Sequence, residues 1–338
     1  MGRFLRLARY SRAMQGRLIG FDGLRGIAAL SVLLFHALTW TTGDARGNGY
    51  LAVDFFFMLS GYVMARTYEA RLGQGLSTGR FVRARYRRFL PVMAIAGLIA
   101  LPGFLLTNEM SLWPVALANL LLIPSLFTRR LYPLNGPAWS ILLELIGNMA
   151  HGLVLRRLST RILVHVVLLS ATLFAVVASR VGVDVGAQPA SFLFGLPRVM
   201  CAYGVGVILW RWWRDRPTIA VPPLAALVAM PLYFGIGTMI DADGWASGMV
   251  FILLVCPLML AGGLRWQRQS RWMTAAGALS FPLYAVHAPV CMTGLMLGVP
   301  VAGGVAASLA VAGLIAWMQA RPRRPGSAKL GSAPVAAS

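Results

Sequence analysis

The chain has 338 residues, of which 58% are hydrophobic and only 12% are charged, and its mean hydropathy is +0.70. This composition excludes an ordinary soluble domain and indicates a polytopic membrane protein. The formal net charge of +21 does not indicate nucleic-acid binding, because the cations cluster in short connections between apolar runs, where they set membrane orientation.

Apolar stretches of about twenty residues recur along the chain, and each is long enough for one membrane-spanning helix. We therefore predict an all-α polytopic protein with about ten transmembrane helices. They lie near residues 20–40, 50–68, 90–107, 138–155, 161–179, 192–210, 219–238, 246–263, 273–295 and 300–319. Most arginine-rich connections fall on one side of this arrangement, so both termini are predicted to be cytoplasmic.

The apolar stretch 113–128 is not counted as a span. It is short, contains Pro114 and Pro124, and would reverse the charge pattern of the later connections if it crossed the membrane. We predict a re-entrant or interfacial segment there. The predicted organisation is a basic cytoplasmic segment over 1–19, a membrane domain over 20–319 and a disordered cytoplasmic tail over 320–338.

Three ionisable residues, Arg25, His36 and Glu144, fall inside predicted spans. Such groups are costly in hydrocarbon and usually mark a functional site. Arg25 and His36 are eleven residues apart, which places them on one helix face and about 16 Å apart along the axis. This separation suits a protein that works across a bilayer.

His36, Asp54 and Glu144 are each predicted near the outer end of a span. A carboxylate that accepts a hydrogen bond from His36 would make it a general base, so we predict a catalytic His–carboxylate arrangement. Ser140, on the same helix face as Glu144, could hold that carboxylate or bind a reacting oxygen. The alternatives are an ordinary core histidine at position 36 and a Ser140 hydroxyl bonded to its own helix.

The opposite side carries Arg85 and Arg88, which share a helix face just before the third span. Together with the deeper Arg25 they could bind the phosphates of a cofactor that arrives from the cytoplasm. The alternative is a basic cluster that only sets topology and contacts lipid headgroups. His287 could line the same cavity. No two histidines stand at metal-ligand spacing, so no metal site is predicted.

Five blocks of sequence together resemble the acyltransferase 3 family, the integral membrane acyltransferases that O-acylate bacterial surface and exported glycans. The blocks occur in the family's order and are DGLRGIAALSVLLFHA, VDFFFMLSGYV, the arginine run that ends in Pro91, WSILLE and LSFPLYAVH. By position, Arg25 and His36 match an Arg-x10-His motif, and Arg85 and Arg88 match an Arg-x-x-Arg pair. The family's Trp-Ser-x-x-x-Glu block is matched by Trp139, Ser140 and Glu144, with mild departures at Leu142 and Phe281.

The resemblance implies an enzyme that transfers acyl groups other than amino-acyl groups. Its co-substrate would be cytoplasmic acyl-CoA, expected to be acetyl-CoA, with no bound cofactor. Its acceptor would be a carbohydrate or lipid-linked glycan on the outer side of a bacterial inner membrane. A covalent acyl-His36 intermediate stays open beside direct transfer. The competing interpretation is a secondary transporter, since buried arginine, histidine and carboxylate groups also build transport paths.

Overall fold

The computed structural model of the chain describes residues 16–44, 47–107, 112–240, 242, 244–266 and 268–321, and over these residues it contains helices and no strand. Its helices are α1 Ile19–Thr42, α2 Ala52–Gly73, α3 Thr78–Thr107, α4 Trp113–Leu120, α5 Ala138–Leu153, α6 Thr160–Val181, α7 Gly195–Trp213, α8 Pro223–Met239, α9 Trp245–Leu264, α10 Arg271–Met296 and α11 Val301–Ala320. Each of the ten predicted spans coincides with one of these helices. All but the first two residues of the predicted tail over 320–338, and most of the N-terminal segment, lie outside the described residues.

Eight helices in the described part of the chain are long and apolar enough to cross a membrane by length and composition. The prediction of a polytopic all-α membrane protein is therefore confirmed. Of the ten predicted spans, α2 and α8 do not meet both criteria: α2 carries several charged residues, and α8 is an apolar helix of only 17 residues.

Two parallel helices, α1 and α10, pack closely because small residues let their backbones approach. A Cβ added at Gly26 would lie 2.5 Å from the Cβ of Ala276. The pair α2 and α7, which is also parallel, is packed in the same way: a Cβ at Gly61 or at Gly206 would meet a backbone oxygen of the facing helix at 2.0 Å. Because side chains larger than glycine are excluded at these crossings, the two helix pairs are held in fixed register.

The segment predicted to be re-entrant or interfacial contains only the eight-residue helix α4, which is too short to cross a bilayer. The chain that follows folds back into the protein, where Leu131, Tyr132 and Asn135 are buried. The Tyr132 hydroxyl donates to the carbonyl of Leu122 at 2.8 Å and ties this loop together. As a result, the first residues of α5 are buried within the protein and do not lie at its surface.

Candidate active site

A cavity of about 310 Å³ lies at the end of the bundle where α1 begins, and we call it the arginine cavity. Its walls include the five arginines Arg17, Arg25, Arg66, Arg85 and Arg88. All three residues predicted to bind a phosphorylated cofactor are therefore in one cavity. Glu144 and Ser140 line its deeper part.

Three of these arginines have carboxylate partners. Arg17 pairs with Asp22, and Nε of Arg66 donates to Asp215 at 2.7 Å. Arg85 is the third, and its partner is Glu144. In contrast, Arg25 and Arg88 form no ion pair or hydrogen bond with any residue that the structure describes. These two guanidinium groups are thus available to an anionic ligand.

Glu144 lies on the arginine side of the bundle, which corrects the prediction that it contacts His36. Its Oε1 accepts from Oγ of Ser60 at 2.7 Å and from Nη2 of Arg85 at 3.2 Å. The predicted depth was wrong because the loop before α5 is buried, so a position two turns into α5 lies far from the outer surface.

Asp54 forms an ion pair with Arg198, so the predicted contact between Asp54 and His36 is wrong. Its two carboxylate oxygens accept from Nε and Nη2 of Arg198, each at 2.8 Å, and both side chains are fully buried. Arg198 additionally donates to the carbonyl of Val185 at 3.1 Å and lies 3.5 Å from Asp184. Asp54 lines neither of the cavities described here, and its arrangement is that of a structural ion pair between α2 and α7.

A second cavity, of about 870 Å³, lies at the opposite end of the bundle, and we call it the histidine cavity because His36 lines it. The ring of Trp40 stacks on His36 with the ring centroids 5.5 Å apart. Other polar and aromatic residues of its wall include Tyr50, Arg129, Arg130, Trp139, Asp184 and Gln188. Such a mixture of aromatic faces and hydrogen-bonding groups is typical of binding sites for polar small molecules.

The partner of His36 is a second histidine and not a carboxylate. Nε2 of His287 lies 3.1 Å from Nδ1 of His36, and the ring centroids are 5.1 Å apart. His287 is fully buried, and its own Nδ1 lies 2.8 Å from the carbonyl oxygen of Tyr284. Nδ1 of His36 is also 3.1 Å from the carbonyl oxygen of Val32 in its own helix.

The two cavities are neighbours, and Val53 and Tyr284 line both of them. The hydroxyl of Tyr284 is 2.6 Å from Oγ of Ser140, which is also 3.0 Å from the carbonyl oxygen of Pro137. The Ser140 hydroxyl thus bonds to the start of its own helix and also contacts Tyr284 at the boundary between the two cavities. Arg25 and His36 therefore line two different cavities, and these cavities share a wall.

Two residues of this site were not identified from the sequence: Tyr284 was assigned no role, and His287 was expected only to line the cavity, whereas it lies behind His36 and lines neither cavity. They lie three residues apart in LSFPLYAVH, one of the five blocks that carried the family resemblance. The sequence feature that pointed to a role for His287 was its imidazole in the middle of an apolar run. The sequence could not show that α10 lies beside α1, and so could not pair His287 with His36.

Residues 18–318 match the family model of an acyltransferase domain, which is nearly the whole chain. Protein 2 in the picA locus of Rhizobium radiobacter is 32% identical over 193 residues, which are 50% of this chain and 99% of that protein. The peptidoglycan O-acetyltransferase OatA of Listeria monocytogenes is 32% identical over 27% of this chain and 14% of its own length. A putative membrane-bound transacylase, BcsY of Komagataeibacter xylinus, is 42% identical over 21% of this chain and 17% of its own length.

The latter two relatives are therefore matched over less than a fifth of their own lengths. No solved structure matches the chain.

Proposed function

Because the chain belongs to the acyltransferase 3 family of membrane proteins, we propose that it moves an acyl group from acyl-CoA to a hydroxyl group of an exported or surface carbohydrate. The observation that carries the proposal is the pair of adjoining cavities. One contains two arginines that form no ion pair or hydrogen bond with a described residue, and the other contains a histidine pair among aromatic side chains. The relatives named as O-acetyltransferases support an acetyl group as the acyl group.

The arginine cavity is the proposed donor site. Guanidinium groups bind phosphate oxygens through paired hydrogen bonds, and neither Arg25 nor Arg88 forms an ion pair with a carboxylate that the structure describes. Arg85 is buried against Glu144, so in this proposal its charge is neutralised and it shapes the cavity wall. The thioester end of the donor then points along α1 toward His36, which lies about 16 Å further along the helix axis.

The histidine cavity is the proposed acceptor site. Nε2 of His36 takes the proton of an acceptor hydroxyl group, and the oxygen attacks the thioester carbonyl carbon. The carbon–sulfur bond breaks as the carbon–oxygen bond forms. The leaving CoA thiolate is protonated by the His36 imidazolium, so the histidine is regenerated. In this scheme the acyl group passes the shared wall at Val53 and Tyr284.

The arginine-rich connections favour a cytoplasmic donor site and an acceptor site on the outer face, in the inner membrane of a bacterium. Arg66 and the arginines of the α3 start lie at one end of the bundle, together with the N-terminus of α1. A cytoplasmic origin of the donor follows from that orientation, because acyl-CoA is made in the cytoplasm.

The test is release of free CoA by purified protein in nanodiscs, supplied with acetyl-CoA and a mixture of bacterial surface oligosaccharides. We expect CoA thiol to appear together with acetyl ester on the carbohydrate. A secondary transporter would move solutes without breaking the thioester. Uptake or export by proteoliposomes without any thiol release would therefore contradict the proposal and favour transport.

A further inference from the structure

The hydrogen bonds around His287 fix which of its nitrogens carries the proton. Nδ1 lies 2.8 Å from the carbonyl oxygen of Tyr284 and 3.2 Å from that of Leu283. A carbonyl oxygen only accepts, so Nδ1 of His287 carries the hydrogen. In the neutral ring, Nε2 of His287 is then a hydrogen-bond acceptor.

The same reasoning fixes His36. Its Nδ1 lies 3.1 Å from Nε2 of His287 and 3.1 Å from the carbonyl oxygen of Val32, and both neighbours are acceptors. Nδ1 of His36 therefore carries the hydrogen, and Nε2 keeps its lone pair. All the contacts around the two rings agree on this one arrangement. A lone pair at Nε2 is what a general base requires.

We infer that His287 is a positioning residue that takes the place of the carboxylate in a histidine-based catalytic pair. It accepts from Nδ1–H of His36, holds the ring in the base-competent tautomer and stabilises the imidazolium that forms when His36 takes a proton. A carboxylate plays this part in the serine-protease triad, where it orients the imidazole and stays unprotonated. The inference rests on the proposed acyl transfer.

Two substitutions of similar size separate this role from simple packing. Gln places an acceptor oxygen near the position of Nε2, whereas Met fills the same space without an acceptor of comparable strength. We expect His287→Met to lower kcat for CoA release by about 100-fold, the size of a typical general-base contribution. His287→Gln should retain kcat within about tenfold of the wild-type protein. KM for acyl-CoA should stay unchanged in both, because the donor cavity does not include position 287.

The matched control is His165→Gln. His165 is exposed, and its Nδ1 lies 2.8 Å from the carbonyl oxygen of Arg161, four residues earlier, but no other ring contacts it. Its substitution should leave kcat unchanged. Equal kcat in the Gln and Met variants of position 287 would overturn the inference, whether both are active or both inactive at normal protein yield. An inactive wild-type protein would instead contradict the proposed acyl transfer itself.

A second observation concerns charge at the mouth of the histidine cavity. Arg129 and Arg130 line this cavity, are exposed, and form no ion pair with any residue in the described part of the chain. The charge of Arg130 lies within electrostatic range of His36, as does that of Asp184. Asp184 is partly compensated by Arg198 at 3.5 Å. Among the described residues that line the cavity, two arginines therefore face a single carboxylate, which Arg198 already compensates in part.

Exposed arginines on this side run against the charge asymmetry of the rest of the chain, in which cations gather at the opposite end. A topological role does not explain them. The geometry points to an acceptor that carries an anionic group, a carboxylate or a phosphate, close to the hydroxyl that is acylated. Arginine binds both groups through two parallel hydrogen bonds. This inference also rests on the proposed acyl transfer.

The test compares three soluble acceptors: a neutral hexose tetramer, the matching hexuronic-acid tetramer and a hexose tetramer that ends in a diphosphate. We expect the wild-type protein to acylate at least one anionic acceptor with a higher kcat/KM than the neutral one. In the variant Arg129→Gln/Arg130→Gln that preference should fall about fivefold, as loss of two exposed charge contacts implies. Added salt should weaken it in the wild-type protein.

Arg180→Gln is the matched control, because Arg180 is exposed at the end of α6 and does not line the cavity. It should keep the full preference. Which anionic acceptor is favoured distinguishes a carboxylate-bearing glycan from a phosphate-linked one. Equal use of all three acceptors by the wild-type protein would overturn this inference but leave acyl transfer standing. Transfer to none of them would count against the proposed function.

Discussion

The arginine cavity and the histidine cavity, which lie in one helix bundle, differ in how their ionisable groups are paired. In the arginine cavity, Arg85 and Glu144 neutralise each other, and Arg25 and Arg88 form no ion pair within the described part of the chain. In the histidine cavity the central pair, His36 and His287, is neutral in the arrangement that its hydrogen bonds require. The comparison indicates that arginine charge serves ligand binding in both cavities, while the chemistry in the histidine cavity relies on a neutral base.

The largest effect on activity is expected when the proposed base is removed. We expect His36→Ala to lower the rate of acyl transfer by about 10²- to 10⁴-fold, the usual contribution of general-base catalysis. Acyl-CoA affinity should be unchanged, because His36 lines only the histidine cavity. The measurements are CoA release and isothermal titration of acyl-CoA in nanodiscs. Turnover like that of the wild-type protein would remove His36 from the mechanism.

The next prediction separates a structural carboxylate from a catalytic one. Asp54→Asn leaves the fully buried charge of Arg198 without its partner, so we expect a loss of about 3–5 kcal/mol in the free energy of unfolding. Thermal unfolding in detergent measures it. The control is Asp184→Asn, since Asp184 is 58% exposed beside the same arginine and should cost less than about 1 kcal/mol. An Asp54→Asn protein of normal stability but without activity would restore the catalytic role that the sequence suggested.

Binding of the donor can be tested at the arginine cavity alone. Arg25→Gln/Arg88→Gln removes the two guanidinium groups that have no protein partner, and we expect the Kd for acyl-CoA to rise by at least about tenfold. Arg83→Gln/Arg87→Gln is the control, because these exposed arginines lie on α3 like Arg88 but do not line the cavity. Equal affinities in the two double variants would mean that the cluster serves only membrane topology.

The smallest expected effect lies at the shared wall. Tyr284→Phe keeps the ring between the cavities but removes the hydroxyl that contacts Ser140 at 2.6 Å. One hydrogen bond is worth about 1 kcal/mol, so stability should fall by that amount and turnover by less than about tenfold. Tyr233→Phe, which loses a comparable bond to Ser247 away from both cavities, provides the reference. Complete loss of turnover in Tyr284→Phe alone would place its hydroxyl next to the reacting atoms.

Some features of the site could be predicted because they depend on neighbours along one helix. Arg25 and His36 share a face of α1 whatever surrounds it, and the arginines at the start of α3 follow from a local charge run. Glu144 and Asp54, whose predicted contact with His36 was wrong, were placed by their distance from predicted span ends. That measure failed for Glu144 because the buried loop before α5 shifts the start of the helix into the protein.

The sequence by itself determined the helices, their apolar character and the family, because these depend on composition, local periodicity and ordered motifs. Only the tertiary structure decided which ionisable groups meet. The decisive contacts join residues 59 positions apart for Arg85 and Glu144, 144 for Asp54 and Arg198, and 251 for His36 and His287. Such pairings follow from how helices pack side by side. In a bundle of similar apolar helices, that packing is set by small residues at the crossings, and hydropathy does not encode it.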